Sequence, residues 1–311
     1  MILPTYFNPK TSLNLFNLKN DFKFLKNLYQ KKKIPKVIML SGKKGSGKST
    51  LINHLMYFIF DKENYNNEIN ELKHNTLFHK QFIDNIFSNI IYLSGSDFKY
   101  TKIDNIRNLK KKIFQTSISE YPRFIIFDNI ELFNNNCLNA LLKIIEEPSK
   151  NNYFVLINNK SKPLLETIKS RCLDIKIFLK EHDRLDVIEL LKKKFNINML
   201  IDIKKSQLTP GNLIKFNFIY NEYGLSDEND FLENIELLLN LYKKDKKMLY
   251  IDMSLYLADN YFNSLLRKNS FTNEKLIEYK RFVFDNINNF FLHNLNQNAV
   301  LNNINNIINV K

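Results

Sequence analysis

Three of the six glycines in this 311-residue chain, Gly42, Gly45 and Gly47, fall inside the ten residues "SGKKGSGKST". A chain so sparing of glycine places three together where its backbone must approach something closely. Gly42, Gly47, Lys48 and Ser49 fit the spacing G-x-x-x-x-G-K-[ST], in which backbone N–H groups turn inward around a polyphosphate and Cβ atoms have no room. On this reading Gly45 shares the cradle, Lys48 reaches the β- and γ-phosphates, Ser49 ligates Mg²⁺ and Thr50 adds a contact near the α-phosphate. The cofactor implied is ATP with Mg²⁺. A second oxygen ligand for that ion is expected at the end of another buried strand. "RFIIFD" supplies it: Phe124 to Phe127 form an apolar run that ends in Asp128.

The position after Asp128 is informative. A water-activating carboxylate is expected there in a nucleotide hydrolase, but the residue is Asn129, whose amide cannot accept a proton from water. Glu131 stands two residues further on, displaced by one strand repeat. The pattern predicts nucleotide binding with weak or absent hydrolysis.

The elements that must position these groups alternate. "KVIMLS" (36–41) reads as a buried strand, and "KSTLINHLMYFIF" as a helix with Leu51, Ile52, Leu55 and Phe58 at helical spacing. Residues 89–95 read as a strand, and 101–114 as a helix opened by a capping box of Thr101 and Asp104. After Asp128 come a helix that Pro148 stops, a strand at 153–159, a short helix around 163–170 and a strand at 173–178. Five strands alternating with helices predict an α/β domain with a five-stranded parallel sheet covered on both faces. From Lys180 the pattern turns helical, and Gly224 with the polar run after it reads as a linker.

Composition excludes some classes and leaves others open. Two cysteines, Cys137 and Cys172, cannot build a disulfide framework, and the five histidines share no metal-ligand spacing, so no zinc site is expected. The start "MILPTYFNPKTSLNLFNLKN" has no signal-peptide pattern, and no apolar run approaches the ~18 residues of a membrane span. The expectation is a cytoplasmic chain without a membrane partner. The net charge of +14 suits an anionic partner. A composition rich in Lys, Asn, Ile and Phe also follows from A/T-rich codons, so charge alone does not decide for nucleic acid.

The stretch from Phe124 to Cys172, with "NALLKIIEEP", then an apolar strand, then "LLETIKSRC", resembles the delta prime family of bacterial DNA polymerase III clamp-loader subunits, within the AAA+ class. The resemblance covers roughly residues 1–178. It implies an AAA+ P-loop domain over 1–179, a small helical lid over 180–224 and an all-α collar domain over 225–311. It also implies that Ser170, Arg171 and Cys172 form a motif whose arginine acts in trans on a neighbouring subunit's γ-phosphate. Asn158 or Asn159 falls where the family's sensor 1 residue stands; the register between them stays open. The partners implied are the gamma/tau and delta subunits, the sliding clamp and, through the complex, primer–template DNA. Two departures matter. The family's four-cysteine zinc module is missing, and Asn212, Leu213 and Ile214 offer no sensor 2 arginine, with Lys215 a partial substitute. Missing Glu at 129 and missing arginine both favour a subunit that acts on its neighbour's nucleotide. The alternative is a self-contained AAA+ ATPase motor or helicase loader, which needs its own water-activating carboxylate; a nucleotide kinase would need an arginine-rich lid that the chain lacks.

Overall fold

The computed structural model describes residues 4–73, 75–95, 121–148, 151–225, 230–267 and 273–308. The helix expected at 101–114 lies outside the described residues. The rest of the first half follows the expected alternation: α1 (Lys19–Gln30), β1 (Val37–Ser41), α2 (Lys48–Phe60), a two-stranded ribbon of β2 (Tyr65–Asn66) and β3 (Glu71–Leu72), α3 (Leu77–Ile83), β4 (Ile90–Ser94), β5 (Arg123–Asp128), α4 (Asn135–Glu146), β6 (Asn152–Asn158), α5 (Glu166–Lys169) and β7 (Leu173–Lys176). Five of these strands form one parallel sheet in the order β4-β5-β6-β1-β7. Parallel strands need crossovers, and the intervening helices cover both faces.

Burial alternates residue by residue between two cores. Ile38, Leu40, Phe124, Ile126, Val155 and Ile157 pack on one face, with Leu51, Leu55 and Phe58 of α2 and Phe22 and Leu25 of α1. Met39, Ile125, Phe127, Phe154 and Leu156 pack on the other, with Leu138, Leu141 and Ile144 of α4 and Ile168 of α5. Period-two alternation in strands buried on both faces is why they read as unbroken apolar runs. α2 is apolar nearly all round because it is buried over most of its length. α4 begins where the Asn134 side chain accepts from Cys137 N at 2.9 Å, and Pro148 follows its end. The last strand is shorter than read from the sequence, ending at Lys176.

The described chain falls into two compact units, one of 2–198 with 203–213, the other of 199–202 with 214–311. These cuts differ from breaks after 179 and 224: α6 (Glu181–Phe195) stays in the sheet's unit, where Phe195 stacks on Tyr6 at 4.4 Å. α7 (Pro210–Tyr223) begins in the first unit and continues in the second. The second unit adds α8 (Phe231–Asp245), α9 (Met248–Arg267), α10 (Asn273–His293) and α11 (Gln297–Ile308), packed around Ile235, Leu238, Ile251, Val283, Ile287 and Val300. Within it, buried Asn217 accepts from Leu200 N and Ile201 N at 2.7 and 3.2 Å. No helix of the described residues is long and apolar enough to cross a membrane.

His54, fully buried on α2, ties the N-terminal segment to the sheet's unit: Nε2 lies 3.2 Å from Ser12 O and Nδ1 3.1 Å from Tyr65 Oη. A carbonyl only accepts, so Nε2 carries the proton and Nδ1 accepts from the Tyr65 hydroxyl. Burial pushes the imidazole pKa down from 6.5 to about 4, against a smaller upward pull from Ser12 O. The folded value lies below the unfolded one, so the unfolded state binds more protons between them. Stability is complete above pH ~6.5 and falls toward pH ~4, by up to about 3 kcal/mol. Urea unfolding at pH 7 and pH 4.5 is expected to show a smaller pH-dependent loss in His54→Gln than in the parent chain.

Candidate phosphate-binding site

The glycine loop joins the carboxyl end of β1 to α2, and each of its three glycines is enforced by a neighbour. A Cβ at Gly42 would lie 2.3 Å from Ile177 O, just past β7, while Gly42 N donates to Asn158 O at 3.1 Å. Gly45 (φ +81°) would place a Cβ 2.5 Å from Thr209 Oγ1, and Gly47 (φ +92°) one 2.8 Å from Leu18 Cδ1. Left-handed φ at both positions favours glycine independently of space. Gly47 is also the residue from which α2 starts, so the free N–H groups and positive end of a thirteen-residue helix open on the loop.

Lys48 is almost fully buried. Its ammonium donates to Gly42 O at 2.8 Å, Lys43 O at 2.7 Å and Ser46 Oγ at 3.4 Å. Burial draws its pKa down to about 8, opposed by the negative charges of Glu131 and Asp128. The cation is held on the loop's own carbonyls. Ser49 follows in the first turn of α2, and Asp128 ends β5. A hydroxyl and a carboxylate, both oxygen donors, beside a Cβ-free cradle fit a polyphosphate with a hard divalent cation such as Mg²⁺. Thr50 lies in the same helical turn.

At the carboxyl ends of β5 and β6 the polar groups divide their labour. Asp128 Oδ1 accepts from Asn129 N at 2.9 Å, and Oδ2 accepts from the Tyr92 hydroxyl. Asn129, in the left-handed region at φ 53°, accepts from Asn159 Nδ2 at 2.8 Å. Glu131 is buried with both oxygens engaged: Asn159 N donates to Oε2 at 3.2 Å and Ser161 Oγ to Oε1 at 2.9 Å. It ties the end of β5 to the end of β6. The two asparagines left open by the sequence behave differently. Asn158, level with Ser41 on β1, accepts from Lys160 N at 2.8 Å and turns its amide toward Met39 Sδ. Asn159 reaches Asn129, beside Asp128.

Sequence reasoning missed a clamp on the loop. Thr209 Oγ1 donates to Lys44 O at 2.5 Å and Gly211 N to Gly45 O at 3.0 Å, so the start of α7 rests on the cradle. Buried Arg184 fixes the approach to that clamp, donating to Ile203 O at 2.9 Å and Leu208 O at 3.0 Å and pairing with Glu181 at 2.6 Å. Thr-Pro is a helix-start signal and Gly211 is one of only six glycines, but neither names the loop as the surface they meet. Tyr92 carried no signal beyond its place in an apolar strand.

Arg171 belongs to a different place. Its guanidinium donates to Thr167 O at 2.8 Å and pairs with Glu146 at 2.7 Å, on a partly exposed surface. It precedes the amino end of β7, whereas the glycine loop follows the carboxyl end of the parallel neighbour β1. A four-residue strand spans roughly 13 Å. Arginine and cradle therefore sit at opposite ends of the same sheet. Cys172, beside it, donates Sγ–H to Ile168 O at 3.0 Å, and burial pushes its thiol pKa up to about 12.

Arg184→Ala removes the donor from two carbonyls, Ile203 O and Leu208 O. It is expected to cost about 2–4 kcal/mol, read as a lower urea midpoint with unchanged slope.

The sequence profile of the family described as "DNA polymerase III, delta subunit" matches residues 18–180. A DNA polymerase III subunit delta' from Buchnera aphidicola subsp. Schizaphis graminum is 34% identical over 150 residues, 48% of this chain and 44% of that protein. A DNA polymerase III subunit gamma from the same organism is 26% identical over 248 residues, 78% of this chain and 67% of that protein. Among solved structures, a DNA polymerase III gamma subunit-related protein from Thermotoga maritima covers 91% of this chain and 97% of its own at 17% identity and a TM-score of 0.45. The chain spans less than half the length of the first curated relatives it matches.

Proposed function

The chain belongs to the DNA polymerase III delta subunit family, and from that premise we propose that it is a delta prime-type member of a clamp-loader ring that places the sliding clamp on primed DNA. In this reading residues 1–179 are the nucleotide-binding domain, 180–224 the lid and 225–311 the collar segment. Its partners are the gamma/tau and delta subunits and the clamp, and primer–template DNA is met through the complex. Its own cradle, formed by Gly42, Gly45, Gly47, Lys48, Ser49 and Thr50, holds ATP, with Ser49 and Asp128 toward Mg²⁺. Asn159, hydrogen-bonded to Asn129, takes the sensor position.

Little hydrolysis is expected from this cradle. Asn129 has no proton-accepting carboxylate, and both oxygens of Glu131 are committed to the end of β6. The chain's chemical contribution is Arg171, offered to the nucleotide of an adjacent subunit. A guanidinium is permanently charged, and its planar fork suits the oxygens of a transferring γ-phosphoryl group. The single observation that carries this reading is the placement of Arg171 at the opposite end of the sheet from the chain's own phosphate loop. From there it cannot serve its own site and faces outward to serve another.

Arg171→Ala in the assembled complex is expected to lower DNA-stimulated ATP hydrolysis by about 10³-fold, the scale of a lost arginine finger, without moving the unfolding midpoint of the isolated chain. Unchanged turnover would remove the assignment. Brisk hydrolysis by the purified chain alone, abolished by Lys48→Ala, would favour a self-contained motor instead.

A further inference from the structure

Tyr92 sits on β4 opposite Ile126 of β5, two residues short of the level of Asp128. Residues two apart on a strand share a face, so its ring leans toward the carboxyl end of the sheet and its hydroxyl meets Asp128 Oδ2. With Asn129 N on Oδ1, each carboxylate oxygen accepts a hydrogen bond from the chain itself. A phenylalanine would fill the same space. What the tyrosine adds is a donor placed on one of the two oxygens open to a divalent cation or a water bound to it.

The ring is also tuned from behind. Lys10 is buried, with its ammonium 4.9 Å from the Tyr92 ring centroid and 4.8 Å from that of Phe82. It is held by Phe82 O at 3.1 Å and Asn85 Oδ1 at 2.5 Å. Burial lowers its pKa to about 8, so the group is charged at neutral pH. A cation on the ring draws electron density from the phenol and makes its O–H a stronger donor. Lys10, Tyr92 and Asp128 thus form a line from the N-terminal segment to the metal-facing carboxylate.

We propose that Tyr92 is a positioning residue that masks Asp128, so that this cradle takes a nucleoside triphosphate with little dependence on a divalent cation. The inference rests on the reading of the loop as a nucleotide site and specifies how that site differs from one built for turnover. A cation that engages Asp128 competes with the Tyr92 hydroxyl for the charge on the same carboxylate, and that competition weakens its grip by roughly tenfold.

The test uses the full chain, a fluorescent ATP analogue and a Mg²⁺ titration started in EDTA. The parent chain is expected to bind in EDTA and to tighten only slightly with Mg²⁺. Tyr92→Phe is expected to lower the Mg²⁺ concentration for half-maximal tightening about tenfold. In an Asp128→Asn background the same substitution is expected to do nothing. Lys10→Met, which keeps the hydroxyl but removes the cation from the ring, is expected to shift the titration the same way by a smaller factor, and it carries the test should Tyr92→Phe not fold. An unchanged or increased Mg²⁺ requirement in both variants, with nucleotide still bound, overturns this inference and spares the nucleotide site. No binding in either arm overturns the nucleotide site and this inference with it.

Discussion

The close approach of neighbouring groups to the backbone of the glycine loop constrains everything else. Ile177 O stands where a side chain at 42 would have to go, Leu18 closes on Gly47, and Thr209 and Asn212 close on Gly45. Those neighbours come from the entry to α1, the exit of β7 and the start of α7, three distant parts of the sequence. The loop is therefore the point on which the sheet, the N-terminal segment and the start of α7 converge. Its conformation is set by the protein before any phosphate arrives, which is the preorganisation that an anion cradle requires. The strand order serves the same end: with β1 between β6 and β7, the carboxyl ends of β5, β6 and β1 bring Asp128, Asn159 and the loop to one rim.

That rim was largely legible from residues alone, and for a physical reason. A glycine cradle followed by Lys-Ser and an apolar strand ending in Asp are local patterns, each written in consecutive residues whose geometry the backbone dictates. β1, β5 and β6 were legible because burial on both faces leaves their interiors without a polar position, while the mostly exposed β7 and half-buried β4 were legible only through their place in the alternation with helices. The contacts made at a distance were not. Thr209 touches Lys44 across 165 residues of chain, and Tyr92 meets Asp128 across 36. Neither pair has a periodicity or spacing to betray it. The different surroundings of Asn158 and Asn159 were equally closed to sequence, because they depend on where β6 ends: Asn158 is its last residue and turns its amide toward Met39, and Asn159, just beyond, reaches Asn129.

Glu131 shows how a local departure is compensated. In sequence it is a candidate to replace the missing carboxylate at 129. In the fold it is a buried acid whose two oxygens accept from Asn159 N and Ser161 Oγ, and its charge offsets part of the desolvation of Lys48. A carboxylate so engaged is held in place on the rim by two donors, and accepting them weakens it as a base toward water. The polar groups on this rim hold one another: Asn129 with Asn159, Glu131 with the turn after β6, Asp128 with Tyr92.

Arg171 stands in contrast to all of these. Its ion pair with Glu146 lies on a partly exposed surface, where such pairs contribute at most ~1 kcal/mol, so the pair does little to stabilise the fold. What it does is orient. Thr167 O takes one end of the guanidinium and Glu146 the other, which leaves most of the N–H donors unspent while restricting the rotamers of a long side chain. α5 and α4, which carry those two partners, are anchored by Ile168 and Ile144 in the same core. A cation held in a fixed direction on a rigid base, at little cost to release, suits the role proposed for it at another subunit's phosphate. The same cation would be poorly placed as a structural strut.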